Sequence, residues 1–230
     1  MTSFLESSLF FGAAVSLITY EIGLLLKKKF KMAIFNPLLI AILCVMGILK
    51  ILDMDYETYN EGAKYISYLL TPATVCLAIP LYRQLHLLRK NIKAVVAGIL
   101  SGVLASMVSV LVLAKLFGLS HEEYVTLLPK SITTAIGMGV SEELGGIVTI
   151  TVAVIIITGV LGNMIAELVY KVAKIEEPIA KGIALGTSAH AIGTAKAMEI
   201  GEVEGAMSSL AIAVAGLATV VASSVFAGLL

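Results

Sequence analysis

The chain has 230 residues, of which 59% are hydrophobic and 14% are charged, and its 16 basic residues balance its 16 acidic residues. A soluble globular domain carries about 25% charged and about 45 to 50% apolar residues, so this composition excludes an ordinary water-soluble fold. Without a net positive charge the chain has no field to attract phosphates, which excludes a nucleic-acid-binding protein.

Long uncharged runs dominate the chain and predict membrane-spanning helices, because a span needs about 20 consecutive apolar residues. Six runs meet this requirement or nearly so, and they are residues 7–26 (interrupted by Glu21), 32–49, 65–82, 94–114, 144–166 and 205–230. Residues 177–197 form a weaker seventh segment, rich in small residues, and residues 124–141 form an eighth that carries Pro129 and Lys130. Because the loops are short, we expect a single membrane domain over residues 1–230.

Charges between the runs predict the orientation, since Lys and Arg collect in cytoplasmic loops. The stretches 27–31, 83–93 and 171–174 are basic, and the stretches 53–61, 122–123, 142–143 and 199–204 are acidic. Acidic residues flank the weak segment on both sides, so residues 121–141 are predicted to enter the membrane and return. The predicted fold is an all-α integral membrane protein of about seven spans plus this re-entrant segment, with the N-terminus outside and the C-terminus cytoplasmic.

An internal repeat is suggested when Thr71-Pro72-Ala73-Thr74 is aligned on Thr187-Ser188-Ala189-His190. Loops that become equivalent in this alignment have opposite charge, which indicates that equivalent helices run in opposite directions. Residues 32–118 and 144–230 are therefore predicted to be two inverted copies, as in many secondary transporters with broken helices. Chance similarity between helices rich in small residues is the alternative.

Three positions predict breaks in helices at membrane depth. Pro72 suits the start of a second half-helix with Thr71 as its cap, Gly186 can end a half-helix before Thr187, and Pro129 offers a third start. The N-terminus of a half-helix exposes free N–H groups and attracts anions. A proline kink repaired by neighbouring hydroxyl groups is the alternative.

Lys130 is the strongest candidate for a functional side chain, because a charge at membrane depth costs about 2.5 to 3.5 kcal/mol even on a lenient scale. It is followed by Ser131, Thr133 and Thr134, which add hydroxyl donors beside the ammonium group. The predicted site is therefore one for an anion. The alternative is a lysine that extends to a nearby membrane surface.

His190 shares one predicted helical face with Thr187 and Thr194, so it can contribute to the same site. Its titration near neutral pH suits proton coupling or recognition of a carboxylate, although a packing histidine is an open alternative. Small residues along the span 94–114, including Gly98, Gly102, Ser106 and Ser109, are interpreted as a packing face and not as a binding surface. Cys44 and Cys76 indicate no disulfide framework, and no metal or cofactor motif is present.

Three strings in the sequence are similar to those of the LrgB/CidB family. They are LLTPATVCLAIPLY at 69–82, LLPKSITTAIGM at 127–138 and GTSAHAIGTAKAMEIGEVEGAMSSLA at 186–211. The resemblance implies a plasma-membrane protein that works beside a smaller LrgA/CidA-type membrane partner. It also implies an antiholin-like or holin-like regulator of murein hydrolase activity and autolysis, or a carrier of pyruvate, glycolate or glycerate.

The residues and the resemblance together favour a carrier for small carboxylates, with no enzymatic activity and no cofactor. The predicted substrate-binding residues are Thr71, Pro72, Lys130, Ser131, Thr133, Thr134, Thr187, Ser188, His190, Gly193 and Thr194. The alternative function is a holin-like or antiholin-like oligomer that controls envelope permeability, which the small-residue helix faces favour. In either case the expected partners are the lipid bilayer and further copies of the chain.

Overall fold

The computed structural model describes residues 10–30, 32 and 34–230, apart from the side chains of Leu70, Thr71 and Thr74. The described part of the chain is helical and contains no strand. It divides into two compact units, one ending at Cys76 and the other comprising Leu77–Leu230. Each unit has its own packing and is treated by itself.

The first unit consists of short and medium helices. Its described helices are α1 Phe11–Phe30, α2 Pro37–Leu52, α3 Tyr56–Ser67 and α4 Leu70–Cys76. The Asn36 side chain caps α2 by accepting hydrogen bonds from Leu38 N and Leu39 N at 2.9 and 3.2 Å, while Pro37 occupies the first helical position. Gly12 allows α1 to approach the backbone of α3 at Tyr59 closely.

The second unit holds the long apolar helices. Its helices are α5 Ala78–Arg83, α6 Leu85–Lys90, α7 Ile92–Phe117, α8 His121–Leu127, α9 Thr134–Glu143, α10 Val148–Val172, α11 Pro178–Ile200 and α12 Glu202–Ala227. Among the described residues α7, α10 and α12 are long and apolar enough to cross a membrane, whereas seven such helices were predicted. The predicted span 65–82 is divided between α3, α4 and α5, with Pro72 and Pro80 each at the third position of a short helix. An N–H group is not needed for a helical hydrogen bond there, so the helix containing Pro72 begins at Leu70.

α11 is broken in the middle and folds back on itself. Ala189 and His190 have non-helical dihedral angles, and His190 lies at φ 42° and ψ −135°. Near the end of α10, Tyr170 Oη donates a hydrogen bond to Lys181 O at 2.8 Å, and Lys196 Nζ pairs with Glu167 at 2.6 Å. The two arms therefore lie side by side, and residues 178–200 form what we term hairpin 2. This differs from the predicted crossing by 177–197 with a break at Gly186 and Thr187, because the first arm stays helical through these two residues and the chain reverses at His190.

Residues 121–143 form a second helical hairpin, hairpin 1. It contacts α10 near the N-terminus of that helix, whereas the ends of the hairpin 2 arms contact α10 near its C-terminus. The arms of hairpin 1 are α8 and α9, joined by residues 128–133. Thr151 Oγ1 of α10 lies 2.9 Å from Thr126 O and 2.7 Å from Ser141 Oγ, within hydrogen-bond distance of both, so both arms lie at the same level of α10. A capping box at Ser120 and Glu123 begins α8, and its hydrogen bonds hold the pKa of the Glu123 carboxyl below its usual value.

The direction of the long helices follows from close contacts with hairpin 2. A Cβ at Gly98 or Gly102 of α7 would contact Ile183 or Thr187, so α7 runs parallel to the first arm. Gly182 and Gly186 of that arm contact Glu204 and Ser208 of α12, so α12 runs the same way. The predicted pairing of 32–118 with 144–230 makes α7 and α12 inverted equivalents, which disagrees with their common direction.

Replacing Thr151 with Val is expected to destabilise the second unit by about 1 to 3 kcal/mol, because the buried Thr126 O and Ser141 Oγ would lose the hydroxyl group they share as a hydrogen-bond partner. Thermal unfolding of the detergent-solubilised protein measures the effect. Thr149→Val places the same change on an exposed position of α10 and should be nearly neutral. Equal stability of the two variants would contradict a structural role for this hydroxyl cluster.

Candidate functional site

A cavity of about 1100 Å³ lies within the second unit. Its walls are formed by α7, α10 and the first arm of hairpin 2, and the tip of hairpin 1 contributes Lys130 and Ser131. Lys130 and Glu177 are the charged side chains among the described lining residues. The cavity thus has one cationic position within a largely apolar wall.

The cavity extends from one end of the second unit to about the middle of the long helices. Asn91, just before α7, and Glu177, just before α11, mark one end of it. Ser106, which lies about halfway along α7, marks its inner part together with Lys130. The cavity therefore connects the end of the second unit at Asn91 and Glu177 with the tip of hairpin 1.

Lys130 is held by hydroxyl groups and not by an acidic partner. Its Nζ lies 3.1 Å from Ser131 Oγ and 3.4 Å from Ser106 Oγ, and the two hydroxyl oxygens are 3.1 Å apart. No carboxylate among the described residues forms an ion pair with it. Since an ammonium group has three donors, this arrangement leaves it able to bind a negatively charged ligand.

The backbone around Lys130 is irregular because hairpin 1 reverses there. Lys130 N donates to Leu127 O at 3.2 Å and Ile132 N donates to Pro129 O at 3.3 Å, which are turn hydrogen bonds. The next helix begins at Thr134 after the extended residue Thr133, and not at Pro129 as predicted. Thr133 and Thr134 consequently lie at the start of α9 and are absent from the described cavity lining.

Hairpin 2 contributes Thr187 and Ser188 to the cavity. Both hydroxyls donate to backbone carbonyls of the same arm, from Thr187 to Ile183 O at 2.8 Å and from Ser188 to Ala184 O at 2.6 Å. Thr187 is therefore inside the arm and does not cap a half-helix. Its hydroxyl oxygen remains an acceptor and its side chain shapes the wall opposite Gly102.

His190, Gly193 and Thr194 hold hairpin 2 together and are not among the residues that line the cavity. The buried His190 ring places Nε2 3.0 Å from Ile155 O of α10. Thr194 Oγ1 lies 2.7 Å from Ser208 Oγ of α12, and Gly193 lets the second arm approach Leu185 O. These three residues position the hairpin.

Thr71 and Pro72 belong to α4 of the first unit. Pro72 occupies the third position of that helix, and the Thr71 side chain lies outside the described part of the structure. Their predicted role in substrate binding stays a prediction.

Sequence reasoning missed Ser106 and its neighbours on α7. Gly98, Gly102, Ser106 and Ser109 were interpreted as a packing face. Gly98 and Gly102 do pack closely against Ile183 and Thr187 of hairpin 2, but all four residues also line the cavity. The available signal was a pair of hydroxyl residues on the same face as glycines in the middle of a span, since glycine leaves open space as readily as it permits close packing.

Apolar helices with large exposed side chains, surrounding a cavity with a cation at its inner end, indicate a helical membrane protein. The chain belongs to the LrgB-like family, whose sequence profile matches residues 16–229. It is similar to proteins named "Antiholin-like protein LrgB" from Bacillus mycoides strain KBAB4 and from Bacillus cereus strains B4264 and AH187. Each is 42% identical over 218 residues, which cover 94% of this chain and 95% of the relative. No solved structure matches the chain, and the family resemblance inferred from the sequence is confirmed.

Proposed function

We propose that this protein is a membrane carrier for small carboxylates of the pyruvate or glycolate type. The observation that carries the proposal is Lys130, which presents an ammonium group without an acidic partner among the described residues at the inner end of a cavity. Ser106 and Ser131 supply hydroxyl groups beside it. A carboxylate there accepts charge-assisted hydrogen bonds that offset the cost of holding a cation at this depth.

The two hairpins support an arrangement in which neither crosses the bilayer. Each arm is too short to span about 30 Å of hydrocarbon, and the irregular tips lie against protein or a cavity, as membrane-buried backbone must. α7, α10 and α12 then cross. Hairpins 1 and 2 enter from opposite sides and bring their tips to the middle, as broken helices do in secondary transporters.

The distribution of basic residues assigns the sides of the second unit in this proposal. Arg83, Arg89, Lys90 and Lys93 precede α7, and Lys171, Lys174 and Lys181 lie where α10 ends and hairpin 2 begins. This basic end, at which the cavity begins, is cytoplasmic by the positive-inside rule. α12 begins at the same end, so its C-terminus lies outside. The prediction of a cytoplasmic C-terminus assumed that residues 177–197 cross the membrane. Without that crossing the C-terminus of α12 lies on the opposite side.

In this mechanism the carboxylate enters from the basic end and moves along the small residues of α7. Lys130 binds its charge, and Thr187 and Ser188 close the opposite wall. Release on the other side requires the hairpin tips to separate there while the cytoplasmic path closes. The substrate drives this exchange only as far as it binds the two states with different free energies.

Uptake by proteoliposomes that contain the purified protein tests the proposal. We expect saturable uptake of labelled pyruvate or glycolate that an excess of the unlabelled compound inhibits. Flux equal to that of protein-free liposomes for both compounds would contradict carrier activity. Release of a large fluorescent dye serves as the control for non-specific leakage.

An antiholin-like function is the second candidate, and the names of the relatives favour it. In this case the exposed apolar faces of α7, α10 and α12 contact further copies of the chain or an LrgA/CidA-type partner, and the assembly regulates murein hydrolase activity and autolysis. Dye release that rises steeply with protein density, without saturable carboxylate uptake, would favour this function. A carrier whose flux alters autolysis indirectly would show saturable carboxylate uptake without dye release.

A further inference from the structure

The second unit contains two chain segments with the same order of elements. Residues 92–143 comprise α7 followed by hairpin 1, and residues 148–200 comprise α10 followed by hairpin 2. The second arms of the hairpins also share sequence. Ala135-Ile136-Gly137 aligns with Ala191-Ile192-Gly193, and in the same alignment Glu143-Leu144-Gly145 falls on Glu199-Ile200-Gly201.

One contact between the two arms recurs in both hairpins. A Cβ on Gly137 would lie 3.5 Å from Pro129 O, and a Cβ on Gly193 would lie 2.5 Å from Leu185 O. Pro129 and Leu185 are equivalent in the alignment, so the same glycine faces the same carbonyl of the opposite arm in both hairpins. The contact is about 1 Å closer in hairpin 2, a difference well outside ordinary van der Waals tolerance.

The two segments run in opposite directions. α7 is parallel to the first arm of hairpin 2, as its contacts at Gly98 and Gly102 show. α10 is antiparallel to the same arm, because Gly162 lies against Ala189 at the tip and Tyr170 contacts Lys181 near the start of the arm. Each hairpin enters from the end at which its preceding long helix finishes. The segments are thus related as inverted copies.

The copies differ in what the first arm of each hairpin faces. In hairpin 2, Ala180 is exposed, Ala184 is half-buried, and both line the cavity. Their equivalents in hairpin 1 are Tyr124 and Leu128, which are 0% and 1% exposed. Tyr124 Oη donates to Phe226 O at 2.8 Å, and Leu128 packs in the core formed by α7 and α12. One copy therefore lines an open path while the other is closed.

We infer that residues 92–143 and 148–200 are the two inverted copies of the carrier and that exchanging their conformations gives the second access state. The end of the second unit opposite the basic end, where Glu122, Glu123, Glu142 and Glu143 lie at the outer ends of hairpin 1, is termed the acidic end. In the second access state Leu127 and Leu128 line a path from the acidic end to Lys130, and Ala180 and Ala184 become buried. The inference depends on the proposed function only because a carrier needs two access states. Leu128 and Ala184 occupy the same position in the two copies, so the larger side chain identifies the copy that is closed here.

Exchanging these two side chains tests the inference. In protein lacking the natural Cys44 and Cys76, a reporter cysteine at Ser101 lies in the cavity and a second reporter at Leu127 lies on hairpin 1. Each is labelled separately with a membrane-impermeant maleimide added from one side of oriented vesicles. We expect Ser101→Cys to label from the basic end. In Leu128→Ala/Ala184→Leu we expect this labelling to slow several-fold and Leu127→Cys labelling from the acidic end to rise several-fold.

Ala184→Leu alone is a milder variant that keeps the core around Leu128 intact, and we expect the same reciprocal change with smaller size. Ala153→Leu adds the same bulk at an exposed position of α10 outside the cavity and should change neither rate. Slower Ser101→Cys labelling with unchanged Leu127→Cys labelling in both variants would overturn the inference, since the larger side chain introduced by Ala184→Leu would then merely fill the cavity. The labelling needs no substrate, so reciprocal changes without carboxylate uptake would support the exchange and refute the proposed substrate.

Discussion

Lys130→Met is expected to reduce saturable carboxylate uptake by about 10- to 100-fold, mainly through a higher KM. The substitution keeps an unbranched side chain of similar length but removes the positive charge. A hydrogen bond to a charged group contributes about 1.5 to 3 kcal/mol, and each 1.4 kcal/mol corresponds to about ten-fold in affinity. Ser106 and Ser131 remain in Lys130→Met, so residual binding by their hydroxyl groups sets an upper limit to the loss.

The matched control for this prediction is Lys115→Met, which removes an exposed lysine from the last turn of α7. It changes the net charge equally and should leave KM within about two-fold, since an exposed charge contributes little. Lys130→Arg keeps the charge with a different shape and should retain part of the activity. An unchanged KM in Lys130→Met, with wild-type thermal stability, would remove the basis for placing the carboxylate at hairpin 1.

Gly186→Leu is expected to prevent stable folding of the second unit. A Cβ at this position would lie 2.5 Å from Ser208 O and 2.7 Å from the Ala211 Cβ, so two helix backbones are in direct contact. Overpacking costs about 1 to 3 kcal/mol even where side chains can move, and a backbone carbonyl cannot move independently of its helix. Gly186→Ala should already lower the thermal midpoint, and Gly186→Leu should reduce the yield of monodisperse protein.

Gly139→Leu provides the matched comparison, because a Cβ at Gly139 would have no neighbour within 4 Å. This glycine lies inside α9, so Leu should even favour the helix there. If Gly139→Leu and Gly186→Leu lowered stability to the same extent, the loss would reflect the added apolar group and not the close approach of hairpin 2 to α12.

Much of the helical fold could be predicted from the sequence. Uncharged runs marked α7, α10 and α12, because a long apolar run in a chain of this composition leaves few alternatives. Lys130 was identified by its cost in such a run, and the structure places it in the cavity. Composition and spacing were sufficient where the constraint came from burial in lipid.

The course of 177–197 could not be predicted, because its reversal depends on tertiary contacts. His190 adopts a positive φ that a non-glycine residue rarely adopts, and the Ile155 carbonyl and the packing around Gly159 hold it there. Gly186 and Thr187 were the better local candidates for a break. Gly186 is instead needed for contact with α12, which sequence periodicity does not distinguish from a helix end.

The role of Ser106 could not be predicted either, because it also depends on tertiary contacts. A face of small residues predicts either close packing or open space, and only the position of hairpin 1 decides between them. Hairpin 1 brings Ser131 to Ser106, whereas Gly98 and Gly102 on the same face of α7 lie against Ile183 and Thr187 of hairpin 2 at the wall of the cavity. The long-range pairing of a loop with a helix middle is not encoded in local propensity.

Hairpin 2 has a consequence for how the protein is made. Neither of its arms can remain in lipid alone, and Gly182 and Gly186 of its first arm pack directly against the backbone of α12, which follows the hairpin in the sequence. α12 must therefore be synthesised before this hairpin can reach its final packing. A chain that ended ahead of Met207 would lack Ser208 and Ala211, the α12 residues against which Gly186 packs.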